Sequence, residues 1–282
     1  MTQSVLEKIA PLDAKADHQE ITRIVTAYEY PFLMQKALEF ALFRTYAVPT
    51  IGALLDKTKH FERAGQKRYD DTALLIAEWV ENGYDSEHGR AALRRMNQLH
   101  HRWEIANDDY LYVLSVFIYV PVEWYAMYGT RALTEKETHA LYYFWVEVGK
   151  RMGIKNIPDS YEAFEQFYHD YERKHFIYSD ESRRVADATI QIFLNWYPAF
   201  IRPVVLQAIY ALMDDPLREA FRYPAPPSWF TAMVRGGLRL GARFIRLLPP
   251  RRTGYQRTQD RNLTYPHGYK IEEVGATEPI AK

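Results

Sequence analysis

Two adjacent histidines, His100 and His101, end a segment with a helical pattern in a chain that has nine histidines and no cysteine. At about 100° per residue, His100 shares one sector, roughly 120° wide, with the apolar residues of this segment, and His101 lies outside that sector. The apolar residues of the sector are Ala92, Leu93, Met96, Leu99 and Trp103. We therefore expect His100 to point into the core and His101 to point towards solvent or a surface partner.

A buried imidazole needs a partner, because an unpaired polar group costs about 1–3 kcal/mol. For His100 that partner is either a backbone carbonyl or Tyr hydroxyl, or an iron. A closed zinc site needs several clustered Cys or His ligands, and a di-iron bundle needs paired Glu-x-x-His motifs. The chain has a single such motif, Glu172 to His175, which we interpret as part of an exposed charged face. Haem iron, by contrast, needs only one protein ligand.

The composition indicates one sizeable domain and narrows the classes of function. With 282 residues, 48% hydrophobic and 15% aromatic, the chain can fill a large core or line a pocket for a flat or apolar ligand. Its 36 basic residues balance 36 acidic ones, so no net field attracts nucleic acid. The lack of cysteine excludes thiolate-ligated haem, cysteine-ligated iron–sulfur clusters and a cysteine nucleophile.

Start and stop signals predict an all-α protein. We expect an N-terminal extension over 1–19, one helical domain over 20–248 and an extended tail over 249–282. Helices are predicted over 20–46, 50–66, 70–82, 87–105, 109–128, 135–152, 160–176, 180–196, 202–213 and 228–248.

Short polar residues mark two of the predicted helix starts. Thr134 and Glu137 have the spacing of a capping box, and Gly153 suits the left-handed position after the same helix. Asn107 to Asp109 are interpreted as a helix cap rather than as metal ligands.

The most lipid-like stretch, LYVLSVFIYVPVEWYAMY over 111–128, has Pro121 and Glu123 near its middle. A buried core helix is favoured over a membrane span for this stretch. The first twenty residues have no apolar signal-peptide region, which predicts a cytoplasmic protein.

Three segments together resemble the MpaB-type oxygenase family, relatives of the bacterial latex-clearing rubber oxygenases. They are ALEFALFRTYAVPTIGALLDKT, RRMNQLHHRWEIANDDYLYVLSVFIYVPVEWYAMYGTRALTEKE and YYFWVEVGKRMGI, and RLLPPRR and YPHGYKIEEVG in the tail are also similar. The resemblance covers about residues 28 to 175 well. It implies a globin-like haem b domain that uses dioxygen to cleave carbon–carbon double bonds in isoprenoid chains. Within RRMNQLH it places the haem-ligating histidine at His100.

The resemblance also implies distal residues on the opposite side of the haem. The Lys-Thr pair of latex-clearing enzymes falls on Lys57 and Thr58, which helical phase puts beside Ile51 and Leu54. Lys57 would then border the pocket and bind the cofactor together with Thr58. In the alternative, its ammonium group reaches solvent while the apolar part of its side chain packs on the core. Rubber-cleaving members have Arg at the position of Leu54, which argues against rubber as the substrate.

Glu39 is a candidate distal acid or base, because a carboxylate in a dry pocket can hold a proton near neutral pH. The alternative for Glu39 is a salt bridge with Arg44 or with a lysine.

The predicted helix over 228–248 carries an apolar stripe beside a basic one. The apolar stripe consists of Trp229, Met233, Gly236, Leu240, Phe244 and Leu247, and the basic one of Arg235, Arg239, Arg243 and Arg246. Such a helix suits peripheral binding to an anionic membrane through Trp229, Phe244 and the arginines. There are two alternatives. The apolar face of the helix docks on the domain, or its arginines bind an anionic head group of a substrate.

The favoured interpretation is a haem b oxygenase that uses dioxygen on an apolar substrate, with His100 on iron and Lys57, Thr58 and Glu39 on the distal side. The competing interpretation is a haem- or lipid-binding helical protein without turnover.

Overall fold

The computed structural model describes residues 3–276, and these residues form helices and turns without a β-strand. The predicted all-α class is therefore confirmed for this part of the chain. The α-helices in chain order are α1 (Val5–Ile9), α2 (His18–Ile24), α3 (Pro31–Thr45), α4 (Pro49–Thr58), α5 (His60–Asn82), α6 (Glu87–His100), α7 (Asn107–Tyr128), α8 (Glu135–Arg151), α9 (Tyr161–His175), α10 (Asp180–Asn195), α11 (Arg202–Leu212), α12 (Asp215–Ala220) and α13 (Ser228–Leu247).

The apolar helix α7 lies at the centre of the fold and packs against α3, α8 and α9. Tyr112, Tyr119 and Tyr125 are among its fully buried side chains. By length and composition α7 could cross a membrane, and so could α3 and α4 taken together, although these two meet at 97°. Most of the apolar window of α7, 67%, is buried inside the protein. This packing agrees with the predicted core helix.

The first predicted helix, over 20–46, is interrupted. A π-helical turn, Val25–Glu29, separates α2 from α3, and α3 begins at Pro31. A proline is favoured in the first turn of a helix, where its missing N–H costs no hydrogen bond.

The helices predicted over 50–66 and 70–82 are divided at a different position, between α4 and α5 at Lys59. Lys59 adopts a left-handed conformation with φ 55°, and α5 runs on to Asn82 with a kink at Ala64. Residues 67–69, which are predicted to lie between two helices, belong to α5. Lys67 binds Asp71 one turn later, at 2.9 Å, and such a pair supports a helix.

The capping box of α8 is confirmed. The Glu137 amide donates to the Thr134 hydroxyl at 3.4 Å, and the Thr134 amide donates to the Glu137 carboxylate at 2.7 Å. Gly153, with φ 76°, follows the end of α8 as predicted.

The predicted role of Asn107 to Asp109 is confirmed in part, because α7 begins at Asn107 and has Asp108 and Asp109 in its first turn. The predicted side-chain cap is wrong: the N-cap residue is Ala106, and no side chain among the described residues caps this helix. The Asn107 side chain instead binds the backbone of Lys155, and buried Asp109 accepts hydrogen bonds from Thr50 and Tyr171.

The tail is bound to a row of carboxylates along α5. Asp70 accepts from the Thr264 hydroxyl at 2.6 Å, and Asp71 accepts from the Tyr265 hydroxyl at 2.6 Å. Further along α5, Glu78 accepts from Tyr269 and Glu81 accepts from Thr258. These bonds hold the tail against α5.

Candidate active site

A cavity of about 960 Å³ lies between α3, α4, α5, α6 and α7, and its wall includes parts of the tail. Apolar and aromatic side chains form much of its wall, among them Leu54, Phe61, Leu99, Trp103 and Phe117. This volume is near the upper end of the range of about 300–1,000 Å³ that is usual for small-molecule sites. The cavity is therefore large enough for a sizeable ligand.

His100, the last residue of α6, lines this cavity, whereas His101 is exposed. Helical phase thus predicts the orientation of both rings. The His100 ring lies near Tyr110 of α7, with ring centroids 5.6 Å apart and an angle of 55° between the planes.

The Nδ1 atom of His100 is buried and has no hydrogen-bond partner among the described residues. Burial lowers the pKa of His100 to about 4, with smaller contributions from Arg68 and His101. The ring is therefore neutral near pH 7, which is the form of imidazole that binds metals. The interpretation of His100 as a core histidine bonded to a carbonyl or hydroxyl requires a partner for this nitrogen, and the described residues do not provide one.

Thr58 and Lys57, at the end of α4, have different environments. Thr58 lines the cavity, and its hydroxyl donates to the Leu55 carbonyl at 2.7 Å. Lys57 is exposed and is absent from the cavity wall. Its Nζ atom lies 5.8 Å from the ring centroid of Trp103, which does line the cavity. This placement agrees with the alternative in which Lys57 reaches solvent. Leu54, Leu55 and Thr58 form the side of α4 that faces the cavity.

Glu39 of α3 lines the cavity and takes part in a local polar cluster. Tyr69 donates to its carboxylate at 2.6 Å and Gln35 at 3.0 Å. The salt-bridge partner is Lys36, at 2.8 Å, and not Arg44. The Glu39 carboxylate thus lies at a mostly apolar wall with hydroxyl, amide and ammonium donors around it.

Two polar residues of the cavity wall, Arg68 and Tyr69, did not emerge from the sequence. The Arg68 guanidinium binds the Thr72 hydroxyl and lies 5.6 Å from the ring centroid of Phe61. Tyr69 holds Glu39, and burial together with this carboxylate raises its pKa far above the usual value. Both residues belong to the polar segment 67–69, which is predicted to separate two helices, so no local pattern marks them as inward-facing.

The residues of the cavity are compatible with a haem held through His100. Within residues 3–276 no group of three or more His, Asp or Glu side chains could hold a metal. An iron at His100 would therefore have to bring most of its ligands with it, as a porphyrin does. The unpaired Nδ1 of a neutral imidazole and the large apolar wall are both compatible with that group.

Comparison with known proteins gives one family. The family model described as ER-bound oxygenase mpaB/B′/rubber oxygenase, catalytic domain, matches residues 30–247.

Curated relatives come from two Penicillium species. ER-bound oxygenase mpaB′ of Penicillium brevicompactum is 32% identical over 250 residues, which are 82% of this chain and 59% of the relative. ER-bound oxygenase mpaB of Penicillium roqueforti (strain FM164) is 35% identical over 222 residues, which are 72% of this chain and 74% of the relative. The match to the first relative thus covers less than two thirds of its length. This chain belongs to the mpaB/rubber oxygenase catalytic-domain family.

Proposed function

We propose that this protein is a haem b-dependent oxygenase that uses dioxygen to cleave a carbon–carbon double bond in an apolar, isoprenoid-type substrate. The observation that carries the proposal is the placement of His100, whose neutral ring lies in the wall of a large apolar cavity with Nδ1 unpaired. Membership of an oxygenase family supports the reaction class.

His100 would hold the iron, and haem, when bound, would supply the chemistry of dioxygen. In the overall reaction, one dioxygen and one C=C bond give two carbonyl groups. Both oxygen atoms end in the products, and the balance requires no external reductant.

The remaining residues act on substrate and protons. Glu39, which accepts hydrogen bonds from Tyr69 and Gln35, would accept or return a proton at its carboxylate oxygens. The apolar wall around Leu54, Phe61 and Phe117 would orient an alkene chain and exclude water from it.

An isoprenoid-type substrate partitions into lipid, and the relatives described above are named ER-bound. We therefore propose that the protein associates with a membrane. An enzyme placed at the lipid surface would meet its substrate where the substrate is concentrated.

The first test is the visible spectrum of the purified protein after haem addition, recorded with and without dithionite. The proposal predicts a Soret band that shifts on reduction. The second test is ¹⁸O₂ incorporation with a polyprenyl alkene, followed by borohydride trapping before the carbonyl oxygens exchange with water.

Label in both cleavage products is the expected result. Haem binding without any dioxygen uptake, across polyprenyl alkenes of different lengths, would instead indicate a haem carrier. Failure to bind haem would overturn the whole proposal.

A further inference from the structure

Helix α13 presents its apolar face to solvent. The outward side chains Trp229, Met233, Leu240, Phe244 and Leu247 have exposed fractions between 53% and 81%. An added Cβ at Gly236, within the same stripe, would meet no atom of the described residues within 4 Å. The stripe runs nearly the full length of a 20-residue helix. An exposed apolar patch of this extent on a folded domain indicates an interaction surface.

The opposite face of α13 packs on the domain against α11 and α7. Ala242 is buried there, and Leu238 is partly buried against the core. Arg235 donates to the carbonyls of Ala211 and Met213 at 3.0 and 3.3 Å. These contacts fix the helix with its apolar stripe outward, so the predicted alternative of docking through that stripe is wrong.

The arginines of α13 divide into two groups. Arg235 and Arg239 bind the carboxyl-terminal ends of α11 and α7, Arg239 through the Met127 carbonyl at 3.2 Å. Arg243 and Arg246 are exposed, and neither forms a salt bridge within the described residues. They flank the apolar stripe and remain available for an anionic partner.

The local charge is entirely positive. From Ser228 to Arg252 the chain contains six arginines and no acidic residue, although the whole chain is balanced at 36 basic and 36 acidic residues. A second copy of this chain docked on the same face would bring further arginines against these. Anionic lipid head groups would neutralise them instead, while the apolar side chains enter the acyl region.

We propose that α13 is an interfacial helix, which inserts Trp229, Met233, Leu240, Phe244 and Leu247 into a bilayer that contains anionic lipid. Arg243 and Arg246 contact the head groups. This inference rests on the membrane association proposed above and does not depend on the haem chemistry.

A short segment, residues 248–251, joins α13 to the cavity wall. The chain leaves α13 at Leu247, and residues Arg252 to Arg257 of the tail line the cavity.

The test is sedimentation of the full-length chain with phosphatidylcholine vesicles, prepared with or without phosphatidylserine, at low and high salt. Wild type should bind the anionic vesicles and bind less as salt rises, because the arginine attraction is screened. The variant Leu240→Asp/Phe244→Asp should lose binding. Arg243→Gln/Arg246→Gln should weaken binding to anionic vesicles about thirtyfold and change binding to neutral vesicles little.

The matched control is Ile177→Asp, which removes an apolar side chain that is 58% exposed outside α13. It should bind vesicles like wild type, and all variants should retain helical circular dichroism. Haem content is measured in parallel and should not change, which separates this inference from the proposed function.

Two results would overturn the inference. One is vesicle binding that survives Leu240→Asp/Phe244→Asp. The other is a lipid-free dimer that this variant converts to a monomer while wild type ignores anionic vesicles, which would assign the face to a second copy of the chain.

Discussion

Arg44 and Glu172, 128 residues apart, form two hydrogen bonds of 2.8 and 2.5 Å in the interior of the protein. The Arg44 guanidinium also binds the Asp214 carboxylate at 2.9 Å, and the Tyr112 hydroxyl donates to the Glu172 carboxylate at 2.9 Å. The cluster therefore joins α3, α7 and α9 to the residue that caps α12. Each charge of the buried pair is compensated by the other and by additional hydrogen bonds.

Replacement of Arg44 should destabilise the protein strongly. Arg44→Met leaves the buried Glu172 carboxylate without its cation, and we expect the free energy of unfolding in urea to fall by about 3–5 kcal/mol. The control Arg173→Ala removes a pair with Asp170 whose side chains are 70% and 55% exposed. That change should cost at most about 1 kcal/mol. Equal losses in the two variants would contradict the assigned role of the buried pair.

His100 and Glu172 illustrate which features of the structure could be predicted from the sequence and which could not. Helix positions and the inward phase of His100 follow from apolar periodicity, which is local information. The expectation that Glu172 belongs to an exposed charged face was wrong because its partner, Arg44, lies on a distant helix. The contacts of Asp109 with Tyr171 and of Glu39 with Tyr69 could not be predicted for the same reason, since polar contacts between helices leave no periodic pattern.

Glu123 of α7 should make stability depend on pH. Burial raises its pKa from the usual 4.5 to about 7. Because the pKa of Glu123 is higher in the folded state than in the unfolded state, protonation of Glu123 stabilises the fold. This stabilisation is fully present below pH 4.5 and is lost as the pH rises through about 7. Glu123→Gln should therefore increase the free energy of unfolding above pH 7, by about 1–3 kcal/mol, and change it little below pH 4.5.

Urea unfolding over this pH range measures the effect, with Glu162→Gln as the exposed control. A constant difference between Glu123→Gln and wild type at all pH values would exclude the raised pKa as its cause.

Glu39 should affect turnover more than cofactor binding. Glu39→Gln keeps the shape of the side chain but removes its basic oxygen, so we expect dioxygen uptake to fall about 10²–10⁴-fold with unchanged haem content. Glu62→Gln, which alters an exposed carboxylate near the start of α5, is the control. Uptake within twofold of wild type in both variants would remove Glu39 from the proposed mechanism.

Lys57 and Thr58 should differ in their effect, because only Thr58 lines the cavity. Thr58→Val is expected to alter the visible spectrum of the haem-loaded protein, whereas Lys57→Ala should leave the spectrum and dioxygen uptake close to wild type. A changed spectrum in Lys57→Ala, with Thr58→Val unaffected, would show that the Lys57 side chain reaches the haem as the family resemblance implies.

The most direct test of the central claim is haem binding by the two histidine variants, titrated with haem and followed by the Soret absorbance. His100 lines the cavity with an unpaired Nδ1 atom, and His101 is exposed. We predict that His100→Ala loses stable haem binding and that His101→Ala binds one haem per chain like wild type. Haem retention in His100→Ala, or equal loss in both variants despite intact helical content, would contradict the account.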